Sequence, residues 1–502
     1  MATIKPTTKK SAAKTVKKPV TKQTAKKTPA KKPAIKKTTK AQAKIKPSED
    51  YMKRRTGSLS KKREIRFNYF ITSLNINTHP FLKKWKRTKQ TYFTVLEYFI
   101  NYFILDAEYV NARLSQYRSL LVGEETLISL TDETCAKAIQ TVVNDFLKPW
   151  KRNHHLILLC DIALIISHRL SVEKALGMLA KYINTKKQER LNALLAALYD
   201  NNAISPVFKS VENMITQFRV NREFATQQEI RIMVTANMSA GKSTLINALI
   251  GKPLTRTAQE ACTANLCYLY NKPFEDGRIH LLESSLNLNA AYDDITKLEK
   301  TAVSSMASYF RVSGHPRIRV CLIDTPGANS ALNSGHKNLT HKAIVEENYD
   351  KLICVLNANN LGSDDEIKHL KYIYKNVPSE KVIFVLNKLD GFKTAEDSIA
   401  ASIDGVRADL KKIGYENPVI CPLSAYFAML LKMKKNGEKL CKQEERSLQR
   451  FIEDFNEPEY DLSAYCDKSV EDITYSDDEF LKMSHLSGLC NLENILYGGS
   501  RK

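Results

Sequence analysis

One eight-residue stretch constrains this chain more than any other. ANMSAGKS (Ala236–Ser243) follows the apolar, β-branched run EIRIMVT and precedes the helical TLINALIG. A loop of this spacing between a strand and a helix is a phosphate loop, with Ala in place of Gly at its first position. Successive backbone N–H groups wrap an anion, and the helix N-terminus adds its dipole. Asn237, Met238, Ser239, Ala240 and Thr244 are expected to line the cradle. Gly241 lets the backbone approach the anion closely. Lys242 is expected to neutralise the β- and γ-phosphates, and the Ser243 hydroxyl to ligate Mg²⁺.

Three further motifs follow in order. DTPG (Asp324–Gly327) ends the apolar run RIRVCLID; Asp324 is expected to hold Mg²⁺ through a water and the Gly327 N–H to sense the γ-phosphate. NKLD (Asn387–Asp390) ends KVIFVL. The Asp390 carboxylate can accept from guanine N1–H and the 2-amino group, two donors that adenine lacks, so a buried carboxylate here selects guanine. Lys388 can lie along the base, and Asn387 can brace the phosphate loop. Ser424-Ala425 follows PVICPL and fits the loop over the base. Four motifs in this order, each at the C-terminal end of a strand, mark the ligand-binding edge of an open α/β sheet. Together they point to GTP.

A threonine that ligates Mg²⁺ and orients the attacking water is expected in PLTRTAQEACTANLCYLY. Thr255, Thr257 and Thr263 are available, and Thr263 is preferred because it directly precedes an apolar run. The position after Gly327, where some GTPases place a water-orienting Gln, is Ala328. Hydrolysis is therefore expected to rest on positioning and charge neutralisation, with Ser239, Lys242 and Thr263 as the catalytic set. Arg256 is either a cationic helper or an exposed loop charge.

The runs EIRIMVTA, RIRVCLIDT, KLICVLNA and KVIFVLNK read as buried strands of a largely parallel, doubly wound sheet. The expected P-loop GTPase domain spans residues 226–498, with an insertion at about 426–483. Residues 61–225 read as an all-helical domain. Val211, Met214, Ile215 and Phe218 recur at helix spacing, as do Leu191, Leu194, Leu195 and Leu198. Pro80, Pro149 and Pro206 punctuate it, and YFTVLEYFINYFI supplies aromatics for a bundle interior.

The net charge of +23 is concentrated at the start. Residues 1–48 hold sixteen Lys and no Asp or Glu, and the remaining 61 basic residues nearly balance 54 acidic ones. Residues 1–60, rich in Lys, Ala, Thr and Pro, have little to bury and are expected to be disordered. The ten Cys form no CxxC pair, and Cys160 and Cys354 sit in apolar runs, which fits reduced, buried thiols in a cytoplasmic protein. The longest apolar stretch, His155–Ser167, is interrupted by Asp161 and is too short to span a membrane.

On SAGKS, the stretch ending in CTAN, DTPG, LNANNLGSDDE and NKLD, the chain resembles the dynamin superfamily, in particular its bacterial dynamin-like members, over about residues 226–498. The resemblance implies that Ser239 helps stabilise the β–γ bridging charge, with a monovalent cation, and that the domain dimerises across the nucleotide face. It also implies work on membranes. Ala236 and Met238 depart from the family pattern. Little sequence follows HLSGLCNLENILYGG, so a stalk is expected from the helices at 63–224 or from a partner dynamin-like protein.

Two destinations stay open. One is a mechanochemical GTPase peripheral to a membrane, bound to anionic lipid. The other is a nucleoid-associated GTPase whose residues 1–48 bind DNA phosphates. A scaffold that binds GTP without hydrolysing it is disfavoured by intact Lys242, Ser243 and Asp324.

Overall fold

In the computed structural model the described residues are 69–102, 107–123, 133–237, 239–254, 266–282, 285–291, 305–312, 317–326, 334–392, 398–467 and 479–498. The Lys-rich tail read at 1–60 lies outside them.

The first half is helical: α1 Lys86–Asn101, α2 Ala107–Leu121, α3 Glu133–Phe146, α4 His154–Ile166, α5 Arg169–Ala180, α6 Thr185–Tyr199 and α7 Glu212–Thr226. The aromatic run expected inside a bundle is there. Tyr92, Phe93, Val95, Leu96, Phe99 and Ile100 of α1 are all buried. Helix α4 is apolar all round and buried all round, as the centre of a bundle requires.

Asp161, which interrupts the apolar stretch, is fully buried in α4. Its carboxylate accepts from the hydroxyls of Tyr92 and Tyr117, the latter at 2.8 Å, and from Nε2 of His79 at 2.9 Å. Nδ1 of His79 accepts from the Phe81 N–H at 3.1 Å, so the ring proton sits on Nε2 and donates to the carboxylate. Burial, then the Asp161 charge, pushes both phenols well above their ordinary range. This network joins three segments of the bundle through one buried anion.

The second half is a nine-stranded sheet with helices. Its elements run β1 Ile230–Ala236, α8 Lys242–Ile250, β2 Cys267–Asn271, β3 Ile279–Leu282, β4 Leu286–Ala290, β5 Ser305–Ser308 and β6 Val320–Asp324. They continue with α9 Ser334–Glu346, β7 Lys351–Asn357, α10 Asp364–Asn376, β8 Val382–Asn387, α11 Ile399–Ile413 and β9 Val419–Leu423. The last four are α12 Ala425–Lys435, α13 Lys442–Asp454, α14 Glu479–Leu486 and α15 Leu489–Tyr497.

The strand order is β4-β3-β5-β2-β6-β1-β7-β8-β9. From β6 to β9 every neighbour is parallel. The four apolar runs read as parallel strands are β1, β6, β7 and β8. The other wing is mixed: β2 runs antiparallel to β6 and parallel to β5, and β3 is antiparallel to both β4 and β5. Within the stretch 426–483, α12 buries Phe427, Ala428, Met429, Leu430, Leu431 and Met433 in the core of the sheet.

Both halves belong to one compact unit, Glu64–Lys502. The seam runs along the mixed wing. The Leu74 N–H donates to Asp276 at 2.9 Å, the Ser73 hydroxyl to the Phe274 carbonyl at 2.6 Å, and His280 Nδ1 pairs with the Phe70 carbonyl at 2.7 Å. Asn221 of α7 bonds both backbone groups of Ser73. Cys160 and Cys354 are buried among apolar neighbours. Among the described residues no helix is long and apolar enough to cross a membrane.

Candidate functional site

Strands β6 and β1 end side by side, β8 ends one strand further on beyond β7, and the chain leaves each as a loop on the same edge of the sheet. Register sets their ends level: Val234 pairs with Asp324 across β1 and β6, and Asn387 pairs with both Asn357 and Leu423 across β7, β8 and β9. This is the edge at which the motif spacing placed a ligand.

The loop after β1 turns sharply. Ser239 has φ 63° and Gly241 φ 89°, both left-handed. Gly241 is required twice over. Its φ suits only glycine, and a Cβ there would meet Asn387 Nδ2 at 2.3 Å. Helix α8 begins at Lys242, so the first N–H groups of the helix face the loop.

Lys242 and Asp324 are both buried, and the ammonium donates to the carboxylate Oδ1. Each neutralises a charge that the other could not leave unpaired in this setting. Asp324 ends β6. The next residue, Thr325, ties that end to β1 by donating its hydroxyl to the Val234 carbonyl at 2.9 Å. Thr340 of α9 donates to the Pro326 carbonyl at 2.8 Å.

Asn387 occupies the position expected of a brace. Nδ2 donates to the Ala240 carbonyl of the phosphate loop at 2.9 Å, and Oδ1 accepts from the Ala425 N–H at 3.0 Å. One side chain thus links the first loop to the last. Lys388, with φ 74°, bends the chain so that a short turn, Leu389–Gly391, carries Asp390 back over the edge. The Ser424 hydroxyl donates to Asp390 Oδ1 at 2.7 Å and also caps α12. The Ser424 N–H is itself held by the Ser487 carbonyl at 3.0 Å.

These loops enclose a cavity of about 260 Å³ lined by Gly241, Thr244, Asn387, Lys388, Asp390 and three residues the motifs did not name, Asn359, Gly391 and Tyr426. Asn359 arrives there because LNANNLGSDDE forms the turn between β7 and α10. Gly362 takes a left-handed φ of 73°, and Ser363 caps α10 ahead of three acidic residues in its first turn. Tyr426 adjoins Ser424-Ala425, and nothing in its spacing marked it.

Met238, Thr263 and Gly327 lie outside the described residues, as do Thr255, Thr257, Arg256 and Ala328. The remaining expected residues converge. Asn237, Ser239, Ala240, Gly241, Lys242, Ser243 and Thr244 form the loop and first turn, Asp324 stands beside Lys242, and Asn387, Lys388, Asp390, Ser424 and Ala425 form the cavity side.

The hydroxyl of Ser243 and the carboxylate of Asp324 are hard oxygen donors, the set that suits Mg²⁺. Oδ1 of Asn237 in the same loop is buried with no hydrogen-bond partner among the described residues, an acceptor available to a donor at this edge.

Residues 232–389 match the dynamin family. A probable transmembrane GTPase, FZO-like, chloroplastic, of Arabidopsis thaliana is 24% identical over 206 residues, covering 40% of this chain and 20% of that protein. Dynamin-like protein A of Bacillus subtilis is 26% identical over 171 residues, 33% of this chain and 14% of that one. An uncharacterized protein of Caldicellulosiruptor sp. is 26% identical over 246 residues, 44% of this chain and 56% of its own length. The chain spans less than two thirds of the length of each of these relatives.

Proposed function

We propose, for a chain that carries a dynamin-family domain over residues 232–389, that it binds GTP with Mg²⁺ and hydrolyses it to GDP and phosphate. The observation that carries this reading is the way Asn387 ties the phosphate loop to the cavity that holds Asp390. An anion cradle and a guanine-selective carboxylate are thereby parts of one rigid edge.

In this reading Asp390, oriented by Ser424, accepts the two guanine donors, and Lys388 covers the base. Gly241 and the α8 N-terminus receive the phosphates. Nucleotide entry would separate the Lys242–Asp324 pair, freeing the ammonium for the β- and γ-phosphates and leaving the Asp324 carboxylate, with Ser243, as a donor that would hold Mg²⁺. Mg²⁺ would be held by Ser243, Asp324 and Thr263, and supplies charge for the transferring phosphoryl group. Ser239, Lys242 and Thr263 are assigned to catalysis, and the Gly327 N–H to sensing the γ-phosphate. Ala328 carries no group that could orient water, so the rate rests on positioning and charge. A monovalent cation at Ser239 and a homodimer across the nucleotide face would complete the site.

The work coupled to turnover is read as peripheral membrane association and remodelling, on the resemblance to dynamin-like relatives. The alternative, a nucleoid-associated GTPase, rests on the acid-free Lys run at 1–48.

The test is steady-state phosphate release from GTP with and without Mg²⁺, for the native chain and Lys242→Ala. Turnover that needs both the metal and the lysine supports the assignment. Turnover unchanged by Lys242→Ala contradicts it.

A further inference from the structure

The helical half contains a near-repeat that the nucleotide site does not use. FLKKWKR (Phe81–Arg87) and FLKPWKR (Phe146–Arg152) differ at one position in seven, and they contain the only two tryptophans of the chain. The first copy leads into α1 and the second leaves α3, but in both the phenylalanine is buried and the tryptophan is exposed. Phe81 and Phe146 are buried 5.7 Å apart, centroid to centroid, and both pack on His154, at 5.0 and 4.4 Å. Each segment then turns, at different positions of the repeat: Lys84 N–H donates to the Phe81 carbonyl in the first and Lys151 N–H to the Lys148 carbonyl in the second, both at 3.0 Å. Trp85 and Trp150 emerge 86% and 69% exposed, the first and third most exposed large apolar side chains among the described residues.

The second turn is built firmly. Lys187, buried in α6, donates to the carbonyls of Leu147, Lys148 and Lys151 at 3.2, 2.9 and 3.2 Å. Burial, and then the charges of Lys151, Lys187 and Lys84, hold the His154 imidazole below its ordinary value, against a raising bond to the Phe146 carbonyl. Lysines of both copies therefore act on one ring, and the two turns share one end of the bundle. Lys83, Lys84, Lys86 and Arg87 of the first copy and Lys151 and Arg152 of the second are exposed. No carboxylate occurs from Pro80 to Gln90 or from Phe146 to His155. The nearest in sequence is Asp145, which pairs with Lys148.

We propose that the paired FLKxWKR turns are a docking surface for an anionic lipid bilayer, with Trp85 and Trp150 entering the headgroup layer and the flanking lysines and arginines resting on lipid phosphates. An indole left this exposed between cations is matched by an interface that is apolar below and anionic above. Single-stranded nucleic acid is instead held by rings spaced along a basic groove, whereas these rings stand on two separate turns. This inference deepens the membrane-associated part of the proposed function and does not depend on GTP hydrolysis.

The test uses the full-length chain and its intrinsic tryptophan emission. Since the Lys-rich residues 1–48 and the nucleotide site contain no tryptophan, emission reports these two turns alone. The probes are phosphatidylcholine vesicles with and without phosphatidylserine, and a single-stranded oligonucleotide. The expected result is a blue shift, with quenching by brominated acyl chains, on phosphatidylserine vesicles only. Lys84→Glu with Lys151→Glu should raise the lipid concentration for half-maximal shift by at least about tenfold. Trp85→Phe and Trp150→Phe should each remove part of the shift. Phosphate release from GTP without vesicles should be unchanged in all of these variants, so a failure of the nucleotide reading shows separately. Vesicle sedimentation with no emission change overturns the proposal, because the tail alone would then be binding. A shift with the oligonucleotide and none with vesicles overturns it in favour of nucleic acid.

Discussion

A methyl group on Gly241 would sit 2.3 Å from Nδ2 of Asn387. The phosphate loop and the guanine-side strand are packed together so closely that one can hold the other only if position 241 has no side chain. Gly241→Ala should therefore lower GTP affinity by at least about tenfold, in line with roughly 1–3 kcal/mol of backbone strain. Adding Asn387→Ala should not restore it, because φ at 241 stays at 89°. Calorimetric titration of both variants checks this.

Asn387 alone makes two hydrogen bonds, to the Ala240 carbonyl and from the Ala425 N–H. Asn387→Ala leaves both buried partners unsatisfied and should cost about 2–4 kcal/mol of stability. Urea unfolding without nucleotide measures it.

The Lys242–Asp324 pair makes a different prediction. Removing one partner leaves a buried charge, so Lys242→Met and Asp324→Leu should each destabilise the nucleotide-free protein by about 3–5 kcal/mol. The double variant should be more stable than either single variant, yet hydrolyse no GTP. Unfolding midpoints and phosphate release, read together, separate the stability of the pair from its chemistry.

Ser424→Ala removes the bond to Asp390 and the cap of α12 in one step. A stability loss of about 1–2 kcal/mol is expected. Affinity for GTP should fall while affinity for ATP, which makes no use of the carboxylate, stays where it was. Competition binding with both nucleotides checks the split.

Stability should fall as pH drops below neutrality. His155 is buried with neither ring nitrogen partnered among the described residues, and burial, then the charges of Lys187, Arg190 and His154, lowers its pKa to about 3. Burial does the same to His369, down to about 4. The unfolded chain takes up these protons near pH 6.5, before the folded one does, so stability present above 6.5 is lost progressively toward pH 3–4. His155→Leu should flatten this dependence. Thermal unfolding across pH 4–8 measures the slope.

What the sequence made legible follows from period and burial. Strands β1, β6, β7 and β8 are buried on both faces, so they appear as unbroken apolar runs, and the motifs at their ends could be placed on one edge. The mixed wing was less visible. Its strands β3, β4 and β5 are four or five residues long and include polar positions such as His280, Asn287 and Ser305. Asn359 reaches the cavity from a turn, which carries no periodic signal, and Tyr426 from the first turn of α12. Asp161 looks in sequence like a break in an apolar helix. Its three partners come from residues 79, 92 and 117, and only folding brings them to it. The twin FLKxWKR segments were present as a self-match, but the exposure of their tryptophans is a tertiary fact.

The central claim, that this edge is built for guanine nucleotide, is tested most directly by measuring Mg²⁺-dependent binding of GTP, ATP and XTP to the native chain and to Asp390→Asn. Asparagine presents a donor where the carboxylate presents acceptors, matching the xanthine 2-oxo group in place of the guanine 2-amino group. The account predicts that the native chain prefers GTP over both competitors by at least about 100-fold, and that Asp390→Asn transfers the preference to XTP. Equal binding of GTP and ATP by the native chain, or an unchanged GTP preference in Asp390→Asn, would contradict it.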